Sequence, residues 1–95
     1  MRFAALCALF AILSLAAPAL AGGYDDFCDG EAALTNGNYE LAIKLYTRAI
    51  RSGELSTEDL ASASSGRGSA YLETGRYRRA LIEFDAAIRI LPDDP

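Results

Sequence analysis

A chain of 95 residues has room for one small domain. Its net charge of −4 makes it a poor partner for nucleic acid phosphates, and the absence of histidine removes the commonest general base and a principal zinc ligand. The composition therefore weighs against a nucleic acid binder and against an enzyme, and it implies no cofactor.

The first stretch reads as a leader. Met1-Arg2 is a short positive start, and Phe3 to Ala21 carries no charge. Pro18 interrupts that run, and Ala19-Leu20-Ala21 puts small residues at the two positions a signal peptidase reads. These features predict a signal peptide over residues 1–21, cut between Ala21 and Gly22, and an exported protein, periplasmic or secreted. The alternative is an uncleaved anchor, because the uncharged run is nearly as long as the roughly 20 residues of a membrane-spanning helix. Membrane attachment is expected in that case alone. Loss of Arg2 with the leader takes the net charge from −4 to −5. It also removes Cys7 and leaves Cys28, an odd cysteine that reads as a bridge to another molecule, a free thiol or a small buried helix residue. One thiol without histidine makes neither a zinc site nor a CxxC couple.

The remainder, residues 22–95, is patterned for helices. Asp25 to Asn36 forms the first, with Phe27, Gly30, Ala33 and Leu34 on one side. Gly37-Asn38 marks a turn. In the next segment Tyr39, Ala42, Ile43, Tyr46, Ala49 and Ile50 recur at helical spacing, with Glu40, Lys44 and Arg48 outside the stripe. Gly53 ends it, and "RSGELSTED" leads into a third helix over Thr57 to Thr74, where Leu60, Ser64, Gly68, Tyr71 and Leu72 align. Ser56 and Asp59 have the spacing of a capping box. After Gly75-Arg76, the residues Tyr77, Ala80, Leu81, Phe84, Ala87 and Ile88 repeat the second stripe, and Pro92 stops the helix. No stretch alternates with period two long enough for a strand.

The second stripe and the fourth are the same pattern written 38 residues apart, and Gly30/Gly68 and Leu34/Leu72 keep that offset. The fold class is therefore all-α: two antiparallel helix-turn-helix hairpins, repeat one over about 23–56 and repeat two over about 57–95. Helix-interior glycine costs roughly 1 kcal/mol against alanine, so the matched Gly30 and Gly68 imply close helix approach.

Gly68, Tyr71, Gly75, Tyr77, Ala80, Phe84, Ala87 and Pro92 together resemble the tetratricopeptide repeat, in the form found in bacterial secreted or periplasmic proteins. Repeat one keeps Gly30, Gly37, Tyr39, Ala42, Tyr46 and Ala49. It departs at Asp26, Asp29 and Ala33, where the family carries Trp, Leu and Tyr, and at Glu54, where it carries Pro. The usual period of about 34 residues is exceeded here, which implies one extra helical turn near "ELST". The resemblance implies a short stacked solenoid in which Tyr39, Tyr46, Tyr77 and Phe84 are packing residues.

It also implies a non-catalytic adaptor that binds a protein or peptide partner in a groove lined by the first helix of each repeat. Carried over by position, the groove residues are Phe27, Glu31, Leu34 and Thr35 from repeat one, and Ser65, Ser69, Leu72 and Glu73 from repeat two. This surface is apolar and acidic, so it suits a partner with apolar and basic side chains. The basic residues with which family members clamp a peptide carboxylate are missing. Asp25, Asp26, Asp29 and Glu31 crowd the first helix, where Asp25 and Asp26 read as a solvated helix start favoured by the helix dipole, with a weak divalent-cation site as the alternative. Arg76, Arg78 and Arg79 form a basic turn, read as solvated or as a landing point for an acidic partner. Two repeats leave a last helix without a neighbour, so Leu81, Ile88 and Leu91 are expected to be exposed, and self-association through that helix to a homo-oligomer is the structural alternative.

Overall fold

A computed structural model describes residues 22–91, so the predicted signal peptide over 1–21, its cleavage site, Cys7 and the stop at Pro92 lie outside the described residues. Within them the chain forms α1 (Gly23–Thr35), α2 (Tyr39–Ser52), α3 (Thr57–Glu73) and α4 (Tyr77–Ile90), with no strand among the described residues. Consecutive helices pack against each other, and α1 also touches α3. This is the predicted pair of hairpins.

The two hairpin turns are built identically because the same residues recur. Gly37 and Gly75 both take the left-handed conformation, φ 78° and 81°. In each case the amide three residues past the helix end reaches back to a carbonyl five residues earlier: Asn38 N–H to Ala33 O and Arg76 N–H to Tyr71 O, both 2.8 Å. That is the Schellman arrangement, and glycine enters its left-handed position without the steric penalty of a side chain.

α1 and α3 end at equivalent residues, Thr35 and Glu73, but α3 has 17 residues against 13 in α1. The surplus predicted from the long period is thus the first turn of α3. Ser56 caps that turn, its Oγ accepting the Asp59 N–H at 3.1 Å. α1 instead begins two residues ahead of its expected start, and its Gly23 N–H donates to Glu54 Oε1 at 2.7 Å. Glu54, the residue that departs from the family pattern, brings a carboxylate from the α2–α3 connection to the positive end of α1.

The core is centred on Tyr46 and Phe27, the largest fully buried side chains. Ala33, Ala42, Ala49, Ala63 and Ala70 surround them, with Ile43, Ile50 and Leu55 at the margin. The Tyr46 ring stands between two helices at positions without a side chain. A Cβ built on Gly30 would lie 3.0 Å from the ring, and one on Gly66 2.5 Å from it. Gly68 repeats the Gly30 arrangement against Phe84, where a Cβ would come within 2.9 Å of the ring tip. The close approach predicted from Gly30 and Gly68 is therefore present. Gly66, which the repeat pattern did not single out, makes the tightest of these contacts with Tyr46.

Tyr77 departs from expectation. It is 63 % exposed, whereas its counterpart Tyr39 is packed against the core, because no described helix lies on the outer side of α4. Leu81, Ile88 and Leu91 are exposed as predicted. Cys28 is buried within the core cluster.

Adding a methyl group at Gly66 should lower stability by about 1–2 kcal/mol, since overpacking a rigid ring outweighs the gain in helix propensity. Urea denaturation of Gly66→Ala checks this. Gly68→Ala should cost less, because the half-buried Phe84 has room to turn aside, and equal costs at the two sites would contradict this account.

Candidate functional site

The face that α1 and α3 share is assembled from side chains whose freedom differs sharply. Leu72 is 46 % exposed near the end of α3, and Glu73 beside it is exposed too. At the equivalent place on α1, Leu34 is half-buried and packs on the core. Thr35 is exposed, with its hydroxyl donating to Glu31 O at 2.9 Å. Ser69 is partly exposed on α3.

Three of the eight predicted groove residues behave differently from a simple lining. Phe27 is 1 % exposed, with its ring 6.3 Å from that of Tyr46 and 6.0 Å from that of Tyr24. It supports the surface from below and cannot touch a partner, because aromatic packing inside the hairpin claims it. Glu31 accepts the Tyr46 hydroxyl at 2.8 Å, so one of its oxygens serves the core. Burial first, and then the charge and hydrogen bond of Glu31, push the Tyr46 phenol far above its ordinary value, which keeps the donor protonated. Ser65 sits at the lip of a separate cleft with Phe84, Ala87 and Ile88. The surface left for a ligand is Leu72 and Glu73, flanked by Leu34, Thr35, Ser69 and the outer side of Glu31.

Contacts that local pattern did not reveal hold this face in place. Arg67 of α3 donates to Thr47 Oγ1 of α2 at 2.8 Å and pairs with Glu83 of α4 at 2.9 Å, so one guanidinium joins three helices. The arginine's long stem and planar fork suit it to such a junction. The signal available in the sequence was a cation amid the small residues of α3, but its partners lie 20 and 16 residues away.

The basic turn is also engaged. Arg76 pairs with Glu40 of α2, and the guanidinium groups of Arg79 and Arg76 lie 5.5 Å and 5.8 Å from the Tyr71 ring centre. These contacts tie the start of α4 to the start of α2 and the end of α3, a structural use that the charge run alone did not disclose.

The acidic residues of α1 do not converge. Asp26 pairs with Arg48 at 3.3 Å and Glu31 faces Tyr46, and no group of three or more metal-ligating side chains occurs among the described residues. The Asp29 carboxyl is raised from its ordinary value, chiefly by partial desolvation, then by the Asp25 and Asp26 charges, with Arg48 acting in the opposite sense. The folded chain thus holds that proton more tightly than the unfolded one. Stability falls as pH rises through the window between the ordinary and raised values, and the penalty is complete at neutral pH. Asp29→Asn should therefore melt higher than the parent at pH 7, and the difference should vanish near pH 3, as read by circular dichroism.

Known proteins were compared with the chain as a whole. No curated protein and no solved structure matches it. A family profile described as tetratricopeptide repeat matches residues 30–95, which is more than half of the sequence and includes α2, α3 and α4 entire. With two helical hairpins, glycine turns at equivalent places and aromatics set against helix glycines, the chain belongs to the tetratricopeptide-repeat family.

Proposed function

We propose that this chain is an exported, non-catalytic adaptor that receives a protein or peptide segment on the face shared by α1 and α3. Tetratricopeptide repeats are protein-interaction modules, and this membership supports the general reading. The observation that carries the specific one is Leu72, a large apolar side chain 46 % exposed on a helix otherwise rich in small residues, with Glu73 beside it. Apolar area in water is unfavourable by about 25 cal/mol per Å², so covering it favours association. The neighbouring carboxylates select a segment with apolar and basic side chains.

The export part of this reading rests on the charge-free run before Gly22 and its small-x-small end. No helix among the described residues is long and apolar enough to cross a membrane.

Leu72→Glu is the direct test, since an exposed side chain can be changed without disturbing the fold. With the full chain as bait against extract from its own source, a partner should be recovered by the parent and lost about ten-fold or more by the variant, at unchanged helicity. Equal recovery by parent and variant would move the binding site away from this face.

A further inference from the structure

The outer side of α4 carries Tyr77, Leu81, Phe84, Ile88 and Leu91 in one helical stripe, and Leu81 and Ile88 are 68 % and 61 % exposed. Its counterpart on α2 is Tyr39, Ile43, Tyr46 and Ile50, 38 residues earlier, and that stripe is covered. The covering element is α3. It brings Ala63, Gly66 and Ala70 to the core, fits Gly66 against the Tyr46 ring and places Arg67 on Thr47. Beside the α4 stripe lies a cleft of about 450 Å³, formed by Ala61 and Ser65 of α3 with Phe84, Ala87 and Ile88 of α4. The described residues thus contain both a seat that none of them covers and an example of what fills such a seat.

We infer that the α4 stripe and its cleft form a second docking site, for an α-helix of a different polypeptide with a glycine or alanine stripe and a lysine or arginine next to it. The small residue faces Phe84, as Gly66 faces Tyr46. The cation reaches Asp85, which stands where Thr47 stands in the first repeat and offers a carboxylate in place of a hydroxyl. Among the described residues Asp85 pairs with Arg89 on the same helix, a surface pair 3.0 Å apart that contributes little and gives way readily.

A second copy of the chain does not meet this requirement. Stacked head to tail, it would offer α1, whose residues equivalent to Gly66 and Arg67 are Cys28 and Asp29. Cys28 is buried in its own core, and Asp29, crowded by Asp25 and Asp26, would face Asp85 with like charge. Offered through α4 instead, it would set bulky side chains against a seat matched to small ones. This site rests on the adaptor reading but uses a surface distinct from Leu72.

The test uses a peptide of residues 57–74, stapled on its outer face, titrated into the full chain with methyl groups labelled for NMR. Saturable shifts at Leu81, Ile88 and Leu91 are expected. They should disappear when the peptide carries Gly66→Leu or the chain carries Ile88→Glu, and persist when the chain carries Lys44→Glu on the exposed side of α2. A peptide with Arg67→Glu should bind about five-fold more weakly at low salt, since an attraction becomes a repulsion. Absence of shifts at Leu81 and Ile88 in a folded chain would overturn the proposal, as would equal affinity of the Arg67→Glu peptide. Light scattering that shows a dimer dissociated by Ile88→Glu would also overturn it and assign the face to a second copy. Leu72→Glu should leave peptide binding unchanged, so failure here and failure at the α1/α3 face are read separately.

Discussion

The close fit of Tyr46 between Gly30 and Gly66 is the constraint on which the rest depends. Its ring fills the space that two helices leave by having no side chain at those positions, and its hydroxyl reaches Glu31. A buried phenol without an acceptor is costly, so the Glu31 carboxylate lets a polar tip sit deep in a small core. That single residue couples α1, α2 and α3, whose interfaces are otherwise rich in alanine. It also explains why α3 can be so poor in large apolar residues: space, more than hydrophobic bulk, is what α3 contributes.

The far side of α4 shows the same geometry with one neighbour fewer among the described residues. Phe84 meets Gly68 as Tyr46 meets Gly30, but among the described residues nothing equivalent to Gly66 closes over it. The residues of the two stripes are nearly the same in kind, yet one is core and the other surface. Burial here belongs to the neighbour and not to the residue. The exposed apolar stripe beside Asp85 and the α1/α3 face with Leu72 are the two surfaces proposed above for docking, and large exposed apolar patches favour association.

Polar junctions supply the specificity that alanines cannot. Arg67 joins α2 and α4, Glu54 receives the first amide of α1, and Arg76 spans from the start of α4 to Glu40. Each fixes where one helix sits along another, a variable that a smooth small-residue interface leaves soft. Glu83 is a case in point. It occupies the place that Leu45 holds in repeat one, and it remains satisfied there because Arg67 reaches it.

The helices, their turns and the repeat were legible in the sequence because they depend on local chemistry. Glycine at Gly37 and Gly75 permits a left-handed turn, and apolar residues at helical spacing make a sided helix whatever surrounds it. The 38-residue offset implied one extra helical turn near "ELST", and the structure places it in the first turn of α3, which starts at Thr57. Site residues were less legible. Position alone placed Phe27 in the groove, whereas aromatic packing on Tyr46 and Tyr24 buried it, and Ser65 turned out to border a different cleft. Tyr77 reads as core by analogy with Tyr39, but it is exposed because no described helix packs on the outer side of α4. The sequence by itself determined which segments are helices and which sides are apolar. Tertiary structure alone decided which apolar sides are covered and which charges meet, since both depend on contacts between residues far apart in the chain.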